Sequence, residues 1–371
     1  MKKDSIFNLL SSILVVIIGL LIGFVILLIS DSSQATPAFM TILTFGVSSM
    51  RNLGEVLRLA TPIILTGLSV AFAFKTGLFN IGASGQFTMG AFVAIYIAIE
   101  FTFLSPPLRI LLAVLAAAVF GALWAAIPGL LKAYRNVHEV ISSIMTNYIG
   151  MFLVNFWIIN NSNLFDQGRG TTIRLPDDVT LPTAGLDHIF ADGARASHVN
   201  VGIIVAILIA ILVYVVLEKT TFGFELKACG FNKNAAKYAG INENKNIVLA
   251  MMISGALAGL AGAFNYMGAT GLSMNAADFL APEGFTGMSV AFLALSHPLA
   301  VIFSGTLISY LSLGGARMQQ FGFSFELVEI VIAIIIYFCA FVSLVKLFLM
   351  SKYDKFTKSK YDKFTKTKEE A

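Results

Sequence analysis

Charge is what this 371-residue sequence has least of. Asp, Glu, Lys and Arg make up 12% of it and hydrophobic residues 57%, whereas a soluble domain averages about 25% charged. That balance excludes a soluble globular domain and implies an integral membrane protein. Cysteine is nearly absent: Cys229 and Cys339 give no disulfide framework. The four histidines, His138, His188, His198 and His297, are scattered and form no metal-ligand cluster. There is no G-x-x-x-x-G-K-[ST], so the chain carries no P-loop, and any ATP-driven work needs a nucleotide site on another polypeptide. No span stacks the acidic and basic residues of a proton-coupled pump, which weighs against a secondary transporter. Net charge is +4, and nothing speaks for nucleic acid as a partner.

What the chain has in quantity is apolar runs. In lipid, backbone polar groups find partners only within their own helix, so each run long enough to cross reads as a helix. Spans are expected near 6–29, 53–74 (with a kink at Pro62), 86–103, 108–131, 140–159, 201–217, 247–267 and 326–350. Two further runs, 285–295 and 298–313, are short for a bilayer, the first short enough to be broken or re-entrant. The fold class is therefore all-α and polytopic, with about ten transmembrane helices, short or broken ones in the core, and both termini cytoplasmic. Lys2 and Lys3 precede the first run, which is too long and lacks the cleavage site of a signal peptide, so it is expected to be retained.

The loops differ in sign. Residues 160–200 hold five aspartates against three arginines and are expected outside; 218–246 holds Lys227, Lys233, Lys237 and Lys245 and is expected inside. The inner stretch is rich in helix-forming alanines interrupted by Gly230 and Gly240, more structure than a connecting loop needs. It reads as a docking element for a cytoplasmic partner. Residues 1–350 form the membrane domain. The tail, 351–371, repeats KYDKFTKS as KYDKFTKT and is basic, of disordered composition and able to rest on the anionic lipid of the bilayer.

Polar side chains at membrane depth are costly and face cavities or one another. Three groups stand out: Asn80, Ser84 and Gln86; Asn265 and Tyr266; Glu283, Thr286 and Ser289. Amides both donate and accept, which suits a neutral polyhydroxylated or heterocyclic solute; Phe79 and Phe285 add aromatic faces nearby. Mutual hydrogen bonding between helices is the competing use. Gly255-x-x-x-Gly259, with Ala258 and Gly262, places a flat face on one helix for close backbone approach, read here as packing within one subunit. Gly82–Ala83–Ser84–Gly85 also matches G-x-S-G, the serine motif of rhomboid-like intramembrane proteases. Only His297 is expected on the same side, and that side is the wrong one for such an enzyme.

TGLFNIGASGQFTMGAF (76–92) resembles the GxFNIGxEGQ signature of permease subunits of ABC importers for nucleosides and simple sugars, the branch linked to basic-membrane-protein lipoproteins. TTFGFELKACGFNKNAAKYAGI (220–241) is similar to that family's coupling loop, and 284–319 to its GFxGIAVALLG-x-x-x-P block. Ala83–Ser84 stands where an acidic residue is usual, and Lys227 replaces an arginine. The resemblance implies a non-enzymatic, multi-pass protein of the bacterial cell membrane that forms half of an inward pathway, for nucleosides or alternatively a ribose- or galactose-type monosaccharide. It implies a second permease subunit, ABC ATPase subunits carrying ATP and Mg, and an extracytoplasmic solute-binding lipoprotein; this chain itself would bind no cofactor and no metal. Phe79, Asn80, Ser84, Gln86, Asn265, Tyr266 and Phe285 become the pathway candidates. Gly223, Lys227, Ala228, Gly230, Asn232, Ala235, Ala236 and Gly240 become the ATPase-coupling residues.

Overall fold

A computed structural model describes residues 2–353 except 194 and 269–271; the repeated tail, from 354 onward, lies outside the described residues. Its elements are α1 (Lys2–Ser30), α2 (Ala35–Thr44), α3 (Met50–Lys75), α4 (Ala83–Glu100), α5 (Pro106–Arg135), α6 (Glu139–Ile159), α7 (Leu186–Ile189) and α8 (Gly202–Lys219). Then follow α9 (Thr221–Phe231), α10 (Lys233–Tyr238), α11 (Glu243–Tyr266), α12 (Pro282–Leu293), α13 (Pro298–Ala316), α14 (Phe325–Cys339) and α15 (Val342–Tyr353).

Among the described residues, eight helices are long and apolar enough to cross a membrane, and nine if α14 and α15 count as one span. The expected last span is thus corrected: it bends by 48° at a short break after Cys339. The run after Pro298 is also longer than expected, because helix continues through Phe321 and makes a 24-residue span. α12 completes the ten apolar segments, but its 12 residues rise only about 18 Å, well short of a hydrocarbon core of about 30 Å. It is a half-span. Pro62 lies inside α3 without ending it, and the Thr66 hydroxyl donates to the Pro62 carbonyl at 3.0 Å.

The bundle has an inner and an outer layer. α3, α4 and α11 are mostly buried inside the protein, while α1, α5 and α8 keep most of their apolar surface outward. In water such a surface would drive aggregation; in a bilayer, lipid tails cover it without cost. The inner layer is held by small residues. Gly255 and Gly259 of α11 pack on Gly121 of α5, and a Cβ at Gly259 would sit 3.1 Å from the Gly121 Cα with the Ala117 carbonyl closer still. On its other side α11 meets Gly90 and Ala91 of α4 through Gly259 and Gly262. The Gly-x-x-x-Gly face therefore packs within one subunit, as the spacing suggests.

The two ends of the bundle differ. At one, residues 160–200 form a small cap with a two-residue antiparallel hairpin (Phe165–Asp166 with Thr171–Thr172) and the short α7, neither visible in the apolar pattern. Arg109 at the start of α5 ties this cap down through Asp178 at 2.9 Å. At the other end, α9 and α10 run across the bundle.

Candidate solute pathway and coupling surface

The segment 76–82 between α3 and α4 is not helical, yet it lies among buried helices. Irregular backbone at membrane depth survives only when its polar groups are satisfied. Backbone bonds meet part of that need, the Leu78 amide donating to the Ala73 carbonyl (3.0 Å) and the Ile81 amide to that of Phe79 (3.2 Å), and side chains then tie the segment to the helices around it. Asn80 Nδ2 donates to Gln86 Oε1 (2.8 Å) and to Ser254 Oγ (2.7 Å), and Gln86 Nε2 donates back to Asn80 Oδ1 (3.1 Å). Ser254 Oγ donates to the Ser69 carbonyl at 2.7 Å, with the two serine hydroxyls 3.0 Å apart. Asn147 of α6 closes the other side: its Oδ1 accepts from the Gly85 amide (2.8 Å) and its Nδ2 donates to the Ile81 carbonyl (3.0 Å). Asn80 and Gln86 are 0% exposed. Their amides are spent on each other, so in this conformation neither offers a group to a solute.

Ser84 links this knot to α12. Its hydroxyl donates to the Ala281 carbonyl at 2.8 Å, and Gly284 packs so closely on Ser84 that a Cβ there would come within 2.6 Å of its Cα. The hydroxyl is therefore not poised by an imidazole, and His297 lies instead against the Tyr214 ring, with centroids 5.7 Å apart. The protease alternative has no dyad.

The remaining pathway candidates divide between two places. Asn265, Tyr266 and Phe285 gather where α11 ends and α12 begins: Asn265 Nδ2 lies 3.5 Å from Glu283 Oε1, Tyr266 packs on Phe87 (centroids 6.4 Å), and Phe285 is exposed. Phe79 sits apart from them, with Phe74 (6.2 Å) and Phe292 (6.1 Å), beside a cavity of about 480 Å³ lined by Lys227, Gly230 and Phe231. The knot lies between the two. Ser69, Asn147 and Ser254 were not singled out as its members, although a lone polar residue within an apolar run was the available signal.

At the end bearing α9 and α10, each helix begins with a side-chain cap. Thr220 accepts from the Gly223 amide (3.1 Å), Asn232 from Ala235 (3.0 Å) and Asn242 from Lys245 (3.1 Å). Such caps fix where each helix starts. Gly223 is buried against the end of α8; Lys227 pairs with Glu218 at 2.9 Å; Ala228 is half-buried and Ala236 buried; Ala235 is exposed; Gly240 turns the chain at φ +82°. Gly230 faces its own subunit: a Cβ there would stand 2.7 Å from the Gly77 nitrogen. The most exposed aromatics of these two helices are Phe231 (90% exposed) and Tyr238 (95%). Behind them, burial pushes the Cys229 thiol up, with Glu243 and Glu225 adding to the rise against a hydrogen bond from Asn246.

Membrane-length helices packed around a half-span and a satisfied break in the backbone define a multi-pass membrane protein of the permease type. The chain belongs to the family described as branched-chain amino acid transport system / permease component, which matches residues 52–340, and it is a multi-pass protein of the bacterial plasma membrane. It is 38% identical to the guanosine ABC transporter permease protein NupP of Bacillus subtilis over 358 residues, 94% of this chain and 97% of that one. It is 35% identical to the nucleoside ABC transporter permease protein NupB of Lactococcus lactis, over 88% of this chain and 89% of the relative. The glucose ABC transporter permease protein TsgB13 of Haloferax volcanii is 32% identical, over 88% of this chain and 85% of its own. No solved structure matches the chain.

Proposed function

We propose that this chain forms half of the pathway through which an ATP-driven importer moves nucleosides inward. The observation that carries this reading is similarity along nearly the whole chain to a guanosine permease and a nucleoside permease. It works without chemistry of its own. A second permease subunit completes the pathway, separate ABC ATPase subunits hold ATP and Mg, and an extracytoplasmic lipoprotein delivers solute to the 160–200 cap. By the positive-inside rule the end carrying Lys75, Lys132, Arg135, Lys219 and the lysines of α9 and α10 is cytoplasmic. The ATPase docks there on Phe231 and Tyr238, with Lys227, Ala228, Asn232, Ala235 and Gly240 shaping the surface.

Within the membrane, Asn265, Tyr266 and Phe285 face the solute, and Asn80, Ser84 and Gln86 hold the backbone that supports them. Phe79 belongs to the cytoplasmic side of that path. Similarity to a glucose permease favours a monosaccharide as the second reading. The test is competition. Cells dependent on this system take up radiolabelled uridine, and unlabelled guanosine, adenosine, ribose or glucose is added in excess. Inhibition by the nucleosides alone is expected; inhibition by a sugar alone would replace the nucleoside assignment with the sugar one.

A further inference from the structure

We infer that Glu283 is a solute-recognising residue, and that its carboxylate accepts the paired hydroxyls of the sugar moiety as the solute passes the start of α12. The inference rests on the nucleoside reading above and adds to it the group that is read and the residue that reads it.

Glu283 is on the first turn of a helix that begins inside the bundle. The stretch before α12 descends from the 160–200 end: Met274 is bonded to Thr172, Asn155 Nδ2 donates to the Ala277 carbonyl (3.0 Å), and the Ala281 carbonyl reaches Ser84. That places a carboxylate several residues below the mouth of the bundle, where an uncompensated charge is costly and marks a site of function. Among the described residues no cation offsets this one. Its partner is the Asn265 amide, at the long distance of 3.5 Å, and no lysine, arginine or histidine pairs with it among the described residues. Two other acids sheltered by the helices are engaged: Glu55 by Arg58 and His198, and Glu139 by Lys132. The hydroxyl of Tyr266, the residue after Asn265, makes no hydrogen bond among the described residues, and Phe285, two residues on from Glu283 and so about half a turn around the helix, is 40% exposed.

A carboxylate, an amide, a phenol and an aromatic face make an acceptor-rich site for a neutral solute. Two adjacent hydroxyls can donate to the two oxygens of one carboxylate, while the ring or base rests on Tyr266. A phosphorylated solute would meet like charge with no cation to offset it. Removing either the carboxylate or the hydroxyls leaves a buried polar group unpaired, which is where discrimination comes from.

The experiment uses proteoliposomes holding the assembled importer, with lipoprotein and solute saturating. Initial uptake rates of uridine and 2′,3′-dideoxyuridine are compared for the wild type and Glu283→Gln. Glutamine keeps the shape of the side chain and its contact with Asn265, so membrane abundance and ATPase copurification should hold. Expected in the wild type is uridine uptake about tenfold faster than that of the dideoxy analogue, and in Glu283→Gln a roughly tenfold loss on uridine that brings the two rates within about threefold. Equal wild-type rates would overturn the inference. So would an unchanged uridine rate in both Glu283→Gln and Glu283→Ala, or a loss that falls equally on both solutes, as a merely structural role would give. A wild-type importer that carries glucose but neither nucleoside would overturn the nucleoside reading instead; glucose against its deoxy analogue in Glu283→Gln then decides the carboxylate's part.

Discussion

Asn80 and Gln86 illustrate how a residue chosen for one role can hold another. Both are amides at membrane depth, and a solute contact is the obvious use for them. Their reciprocal bond and the reach of Asn80 to Ser254 instead make them a brace for non-helical backbone. Asn80→Ala should strand the Gln86 amide and remove one bond to Ser254, costing about 1–3 kcal/mol of stability. Because the two act as a pair, Asn80→Ala with Gln86→Ala should cost less than the sum of the single changes. Thermal unfolding of the purified complex measures all three, and strict additivity would refute the pairing.

Among the elements, α11 carries the tightest constraint. Its Gly259 lies against α5 on one side and Gly90 of α4 on the other, so no side chain fits without parting two helices. Gly259→Leu is expected to lower abundance in the membrane severalfold, as losses of 1–2 kcal/mol or more do. Phe303→Leu, at a position 77% exposed, should change it little. Quantitative blotting of membranes decides.

A second element, α9, has a built-in probe in Cys229. Thiolate is the reacting form, and a raised thiol holds less of it at neutral pH. Labelling by an impermeant maleimide should therefore be slow at pH 7 and still climbing at pH 9, near the ordinary midpoint of a cysteine. It should occur in inverted vesicles but not in intact cells. Cys339 is fully buried and adds no background. Labelling in intact cells would reverse the sidedness.

For the whole molecule, the coupling surface is the testable joint. Phe231 and Tyr238 project from a frame of capped helices, while Gly230 packs on its own subunit. Phe231→Asp with Tyr238→Asp should weaken ATPase binding by about 2 kcal/mol or more, roughly thirtyfold, while leaving membrane abundance normal. Gly230→Asp should instead reduce abundance, because it disturbs the Gly77 turn before any partner arrives. Copurification and blotting separate the two outcomes, and undiminished ATPase recovery with both aspartates would move the dock elsewhere.

The sequence by itself determined that the chain is helical and lives in a membrane, because hydrocarbon offers backbone groups no other partner. Composition and run length sufficed for the positions of nine helices and for the shortness of the segment around Phe285. The stretch at 220–241 likewise read as structured, since the helix preference of its alanines acts locally. Which polar side chains meet was beyond such reasoning. Asn80 and Ser254 are 174 residues apart, and no periodicity pairs them; only the crossing of α11 beside the break after α3 does. The same holds for Gly230, whose neighbour is a turn 153 positions earlier, and for the bend after Cys339, where the apolar run continues without a mark. Local chemistry decides what each segment is; which polar group is spent and which keeps only one long contact, as Glu283 does, is settled only when the helices pack.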